Sequence, residues 1–419
     1  MLPKKIDLDL AYPIYQGSVQ NLYAVPEHPD LAISETTSGG SVFDVGTIFH
    51  IEGNDTARAA FRHYAFQKLA SPQAWQALDI PTLSNEVRPL FTQFQQSGAT
   101  THHIGMVDKQ GQVFTDTLPD LLNNLTLIQK YTVIKPQLQK YLLGHFYDYA
   151  PYHHQDNFVV PLEYIVRFGV TSGSSILRKY EHLDATQKKR YLQELGLKNP
   201  IHAWQAFDTP IVDFTTKYEP EDRALSPQEA AAIAGIPGEQ FIRSVHTVLL
   251  GAYLLQHVFN QMGLFLWDLK WEIAKQGDQL VFVDTIDTDS VRVTVNVIRD
   301  NHSYFVHFNK QAMRDYYKLQ HAEWYAGINQ AKKIAAQTAQ PFTEVLQTGQ
   351  QKGEYPPTPT VDPQFLAIQQ QKFALIQAFI QEKTSDFKAM TADIANQEVD
   401  YYLHSPHADK YTQLNAVEM

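Results

Sequence analysis

The sequence contains no cysteine. Disulfides, zinc–thiolate centres and thiol nucleophiles are therefore excluded. Basic charge is in deficit: 34 Lys and Arg stand against 45 Asp and Glu, a net charge of −11. Such a chain has no broad basic surface, so nucleic acid is not an expected partner. Long hydrophobic runs are missing too. The apolar run in the longest helical stretch covers residues 248–255, far short of the ~20 residues of a membrane span. The first ten residues, MLPKKIDLDL, carry no hydrophobic signal core. A cytoplasmic protein with no membrane attachment is expected. What remains is ordinary: 419 residues, 44% apolar and 19% charged, enough for two or three domains around a sizeable core.

The chain is organised around residues 263–292, GLFLWDLKWEIAKQGDQLVFVDTIDTDSVR. A glycine ends a long helix, and an apolar run leads into Asp268, Lys270 and Glu272. Residues two apart share one face of a strand, so these three project together. Trp267, Leu269, Trp271 and Ile273 face the other way. Gly277-Asp278 reads as a hairpin turn. The return strand, 280–283, delivers Asp284, with Asp287, Asp289 and Arg292 just beyond. Alternation alone also suits a solvated hairpin face. Against this, Glu272 and Asp284 lie on facing strands beside apolar runs, where unpaired carboxylates are costly. Carboxylates gathered in this way suit a hard cation such as Mg²⁺, completed by substrate phosphate.

Upstream, residues 1–110 read as a β-rich lobe with one helix near 55–69. Arg58 and Arg62, four apart, share a face of that helix, either solvated or functional. His102-His103 and His153-His154 are adjacent pairs whose side chains diverge on a strand, which argues against a shared metal. A strand is expected over 158–167, ending in Arg167 beside the small-residue loop Thr171-Ser172-Gly173-Ser174-Ser175. That arrangement fits either an anion cradle or an exposed turn. Ser226-Pro227-Gln228-Glu229 is a helix start. Phe241, Val245, Val248, Ala252, Leu255, Phe259 and Met262 form the stripe of an amphipathic helix stopped by Gly263. A strand over 291–298, a helix over 310–333, a Pro-rich linker at 355–363 and a polar helical tail follow. The tail reads as an appendage or an oligomerisation element.

Several segments together resemble one family, the phosphoribosylaminoimidazole-succinocarboxamide (SAICAR) synthases, ATP-dependent ligases of purine biosynthesis. Residues 263–292 are similar to its "GL-[IL]-x-D-x-K-x-E-[FI] … D-E-x-x-[ST]-x-D-x-x-R" signature. Residues 161–167 with Gly173-Ser174 resemble "P-[LV]-E-x-x-V-R … G-S". Residues 210–226, with Asp213 at the first acid, resemble "P-x-x-E-x-x-x-K … H-D-x-x-[IL]-S". Residues 309–316 resemble "D-K-Q-x-[VL]-R-D-[YW]". Residues 17–23 and Ser41-Val42-Phe43-Asp44 match in position, so the likeness spans about 12–320. It implies an α+β fold: an antiparallel β lobe (1–155) over a larger α+β lobe (156–320), with an ATP cleft between and a helical C-terminal extension (321–419). It implies that ATP activates a ribotide carboxylate as an acyl phosphate, and that the amine of aspartate then displaces phosphate. Glu272 and Asp284 would hold Mg²⁺. Lys270, with Asp268 beside it, would serve the nucleotide and the reacting groups. Lys217 and Asp222 would attend the amino acid. Gly17, Ser18 and Gln20 occupy the phosphate-facing turn, and Val160, Leu162 and Glu163 the adenine side. Arg167, Ser174 or Ser175, and Arg292 would bind the ribotide phosphate, with Asp44 and Asp289 also on the substrate side. Association into a homo-oligomer is left open.

The departures from the pattern fall on cations. The family's "G-K-[AV]-[KR]-[DN]-x-Y" reads Gly17-Ser18-Val19-Gln20-Asn21-Leu22-Tyr23, and the lysine of "I-x-[GE]-K-G" is Asn54. Thr285 replaces the second acid of "D-E", and Glu221 the His of "H-D". Each lost charge–phosphate contact is worth ~1.5–3 kcal/mol. Arg58 and Arg62 are the candidates to replace them. Two alternatives to the purine ligase follow: the same chemistry on other substrates, or a non-catalytic nucleotide-binding homologue.

Overall fold

The structure is a computed structural model that describes residues 2–17, 19–338, 340–383 and 386–419. Two antiparallel sheets carry the fold. The first has six strands, in the order Tyr15–Gln16, Gln20–Ala24, Leu31–Thr36, Leu125–Gln129, His103–Val107 and Val113–Phe114. The second has nine strands and is built on the long strand Phe265–Gln276. This strand pairs with Leu162–Val170 and Val291–Arg299, and towards its end with Asn157–Val159 and Gln279–Val283. The expected α+β architecture, with a helical C-terminal region, is what the chain forms.

The hairpin forms as its turn residues predict: Gln276 pairs with Gln279 across Gly277 and Asp278. It is pressed onto the helix Gly238–Gln261, whose stripe is buried except at half-buried Val245. Burial of each large apolar side chain in that stripe contributes ~1.5–3 kcal/mol. Gly251 permits the contact, because a Cβ there would stand 2.8 Å from the Phe282 ring and 3.2 Å from that of Trp271. Gly263 ends the helical segment with φ +77°, a left-handed conformation that glycine adopts without strain.

The two sheets meet at Phe282. Phe282 N donates to Thr100 O at 3.0 Å, and His102 N donates to Phe282 O at 2.9 Å. His102 O in turn accepts from Gln129 N at 2.7 Å. The helix Asn54–Ala70 packs against the smaller sheet, the helix Gly238–Gln261 and the helix Pro363–Ile380. It is buried on almost every side.

Three expectations need correction. The strand expected over 158–167 is two strands, interrupted at Val160-Pro161, because proline cannot supply the N–H that a continuous central ladder needs. The helix expected over 310–333 breaks at His321 into Gln311–Gln320 and Ala322–Thr338. The C-terminal region is not an appendage. Phe365, Tyr402 and Tyr411 are buried in the main core, Thr391 Oγ1 donates to Met262 O at 2.9 Å, and Ala416–Glu418 adds the outermost strand to the large sheet.

Candidate active site

The central strand places its charged residues through register. Asp268 lies opposite Arg167 on one neighbour and Arg292 on the other. Its Oδ2 accepts from Arg167 Nη1 at 3.0 Å and from Arg292 Nη1 at 2.7 Å. Asp213 accepts a forked pair from Arg167, Nε at 2.9 Å and Nη2 at 3.0 Å. Burial alone would lower the Arg167 pKa, but Asp213 and Asp268 more than reverse this and raise it. Arg167 is thus enclosed and neutralised, while the Arg292 side chain keeps 20% exposure. The two serines of the loop are placed differently. Ser174 is fully buried, its Oγ accepting from Thr171 N at 3.0 Å. Exposed Ser175 instead accepts from Arg167 Nη2 at 3.2 Å. In this arrangement Ser174 is engaged with Thr171 and Ser175 with Arg167.

Two residues along the strand lies a second cluster. Lys270 Nζ is 2.6 Å from Glu163 Oε1 and 3.0 Å from Glu272 Oε1. Glu272 also pairs with Lys217. Glu272 is buried and Asp284 half-buried, and their carboxyl groups are close enough to interact. Burial, followed by the Glu272 charge, pushes the Asp284 carboxyl up to about 7. Burial acts on Glu272 in the same sense, yet Lys270 and Lys217 hold its carboxyl below the usual range. Two crowded carboxylates that retain a proton near neutrality are a donor set suited to a divalent cation. No group of three or more His, Cys, Asp or Glu able to hold a metal occurs among the described residues, so a cation here would take its remaining ligands from water or substrate. Asp284 itself is left-handed, φ 65°. The Lys270 side chain is 34% exposed and that of Lys217 19%, so both remain partly open to solvent.

Arg58 and Arg62 behave otherwise. Their side chains are 2% and 1% exposed. Arg62 Nη2 is 3.0 Å from Asp287 Oδ2, and Arg58 Nη2 is 3.3 Å from Asp287 and 3.2 Å from Asp289. Asp287 is fully buried, and although burial opposes it, the two guanidinium groups hold its carboxyl below the ordinary value. Arg62 as a replacement for a phosphate-binding lysine is therefore corrected: it is committed inside the protein. Arg58 is spent on the same acids.

Of the other expected residues, Gln20 turns inward, Nε2 donating to Ser34 Oγ at 2.6 Å, and Gly17 N donates to Gln20 O at 2.8 Å across the turn. Ser18 lies outside the described residues. Val160 and Leu162 are fully buried. The Val160 N–H is used by Ile273 O at 2.9 Å, and the Glu163 side chain serves Lys270 and Thr215. Asp222 is exposed on its loop, with Glu163, Lys270 and Lys217 in electrostatic range. Asp44, φ 64°, is exposed and pairs with Lys332 at 2.6 Å. Sequence reasoning gave Asp287 no site role and placed His102 outside the site, yet His102 Nε2 lies 2.9 Å from Asp284 O. Nothing in the sequence marks that contact, because the two residues are 182 positions apart.

The SAICAR synthetase family model matches residues 13–331. A protein of Archaeoglobus fulgidus assigned as a phosphoribosylaminoimidazole-succinocarboxamide synthase is 30% identical over 322 residues, 75% of this chain and 82% of that protein. The phosphoribosylaminoimidazole-succinocarboxamide synthase of Thermoplasma volcanium is 31% identical over 164 residues, 39% of this chain and 53% of the relative. In fold, the SAICAR synthase of Saccharomyces cerevisiae, solved with SAICAR, superposes with TM-score 0.52 at 16% identity, covering 90% of this chain and 97% of that one. The family model spans most of the chain and the archaeal relative aligns along most of its own length, so the chain belongs to the SAICAR synthetase family of ligases.

Proposed function

We propose that the protein is an ATP- and Mg²⁺-dependent ligase that joins an aminoimidazole carboxylate ribotide to the amine of aspartate. The observation that carries this reading is the Glu272/Asp284 carboxyl pair, flanked by the partly exposed side chains of Lys270 and Lys217. In the proposed reaction a carboxylate oxygen attacks the γ-phosphorus of ATP and ADP leaves. The amine nitrogen then attacks the acyl carbon of the acyl phosphate, inorganic phosphate departs and the nitrogen loses a proton. Glu272 and Asp284 would hold Mg²⁺, which when bound neutralises charge on the transferring phosphoryl group. Lys270 would meet the nucleotide phosphates by leaving Glu163. Lys217 and Asp222, on the loop over the cluster, would receive the amino acid. Arg292 and Ser175, with Arg167 and Asp268 behind them, would bind the ribotide phosphate, and Asp44 and Asp289 would border the ribotide. The backbone around Val160 and Leu162 would wall the adenine.

One set of observations favours a second reading, the same ligation on other substrates. The phosphate-facing cations of the family are replaced here, and the described residues closest in sequence are otherwise engaged: Gln20 is bonded to Ser34, Asn54 is buried, and Arg58 and Arg62 are paired with acids. Pure protein incubated with ATP, Mg²⁺, the carboxylated aminoimidazole ribotide and aspartate separates the two. ADP and amide product in equal amounts support the purine reaction. ADP formation only with other carboxylates or amines supports the second reading, and no ADP with any acceptor sinks both.

A further inference from the structure

Asp284 sits where the strand Gln279–Val283 ends, in a left-handed conformation with φ 65°. Aspartate tolerates that region better than most residues, but it is still a minority conformation that the surroundings must hold. Its main-chain carbonyl points to His102. A carbonyl oxygen only accepts, so His102 Nε2 carries the hydrogen in this 2.9 Å bond. The ring cannot swing away. It is 6% exposed and packs edge-on against Phe66 at 5.3 Å. Its backbone is tied by N to Phe282 and by O to Gln129, one contact in each sheet. Phe66 in turn stacks on His103, whose Nε2 is 2.8 Å from His63 Nδ1. The smaller sheet therefore reaches across and grips the residue that presents one of the two site carboxylates.

We propose that His102 is a positioning residue for the cation site: its Nε2–H holds the Asp284 carbonyl, and so fixes the turn that aims the Asp284 carboxylate at Glu272. The proposal rests on the reading of Glu272 and Asp284 as cation ligands. Groups that orient ligands in this way commonly change metal affinity by about 10–100-fold when removed.

The test uses full-length protein and Mn²⁺ as the probe, with binding read by electron paramagnetic resonance and melting temperature measured without metal. His102→Gln places an amide N–H where Nε2 was; His102→Leu fills the space without a donor. The expected result is Mn²⁺ binding weakened at least ~10-fold in His102→Leu and held within ~3-fold of wild type in His102→Gln, with the two melting temperatures lowered alike. Equal Mn²⁺ affinity in all three proteins, or equal weakening in both variants, overturns the positioning role. Should His102→Leu not fold, His102→Asn, whose amide ends short of Asp284, takes its place with the same expectations. Glu272→Gln separates the two levels: if it leaves Mn²⁺ affinity unchanged, the cation reading itself has failed, whatever His102 does.

Discussion

Two acid–base clusters lie within a few residues of each other on the same hairpin, and they are built for different ends. Glu272 and Asp284 are faced by lysines that remain partly open to solvent. Asp287, three residues on, is faced by two arginines sealed in the core. A lysine is a compact charge on a flexible stem, so its ion pairs are easily exchanged for a cation or a phosphate. Arginine presents a planar fork that binds a carboxylate in fixed geometry, and when buried it has nowhere else to go. The lysine cluster can therefore be rearranged by ligands. The arginine cluster ties the helix Asn54–Ala70 to the segment that follows the hairpin. The contrast shows that acidic residues in one motif differ in how freely their partners can exchange, set by the identity and burial of those partners.

The sharpest break of this comparison is expected from Glu272→Gln. It should lower Mg²⁺-dependent ligation by roughly 10³-fold, about 4 kcal/mol of lost stabilisation of the reacting phosphoryl group, while leaving the melting temperature within a few degrees of wild type. Unchanged turnover would move the cation away from this pair. Asp287→Ala should do the reverse. It strands two buried guanidinium groups, so a stability loss of about 3–5 kcal/mol is expected, measured by urea denaturation. A loss below ~1 kcal/mol would mean the cluster is not the tie described here.

The smallest effect is one of sign, and it separates the clusters by pH. Asp284 has a folded-state pKa near 7, above its ordinary unfolded value of ~3.9, so the folded protein takes up a proton there. Its contribution to metal-free stability therefore grows as pH falls from about 7 towards 4, by up to ~1.4 kcal/mol per unit. Asp287 is depressed; its contribution is present above the ordinary aspartate value and is lost as pH falls through the depressed one. Wild type and Asp284→Asn compared from pH 5 to 8 without metal should diverge, wild type losing ground as pH rises. Parallel curves would show that Asp284 keeps an ordinary pKa.

Much of this was legible in the sequence. The period-two charges at Asp268, Lys270 and Glu272, the Gly277-Asp278 turn and the stripe ending at Gly263 all formed as read, because each depends on local geometry. The Arg167 loop was read with Ser174 or Ser175 left open, since helix and loop phases are set by one residue and sequence spacing does not resolve one residue. The environment of Arg58 and Arg62 is not written in their spacing, because an arginine pair on a helix face reads the same whether that face meets water or a second lobe. The C-terminal tail was read as peripheral because its polar composition hides how its few aromatic residues enter the core.

The sequence by itself determined the family, the α+β class and the set of charged residues that the central hairpin carries. Those follow from spacing along the chain, which strands and turns translate directly into position. Only the tertiary structure decided which acid faces which cation. Asp287 meets Arg62 across 225 positions and Asp284 meets His102 across 182, and the energy of a buried charge depends on neighbours brought together by folding.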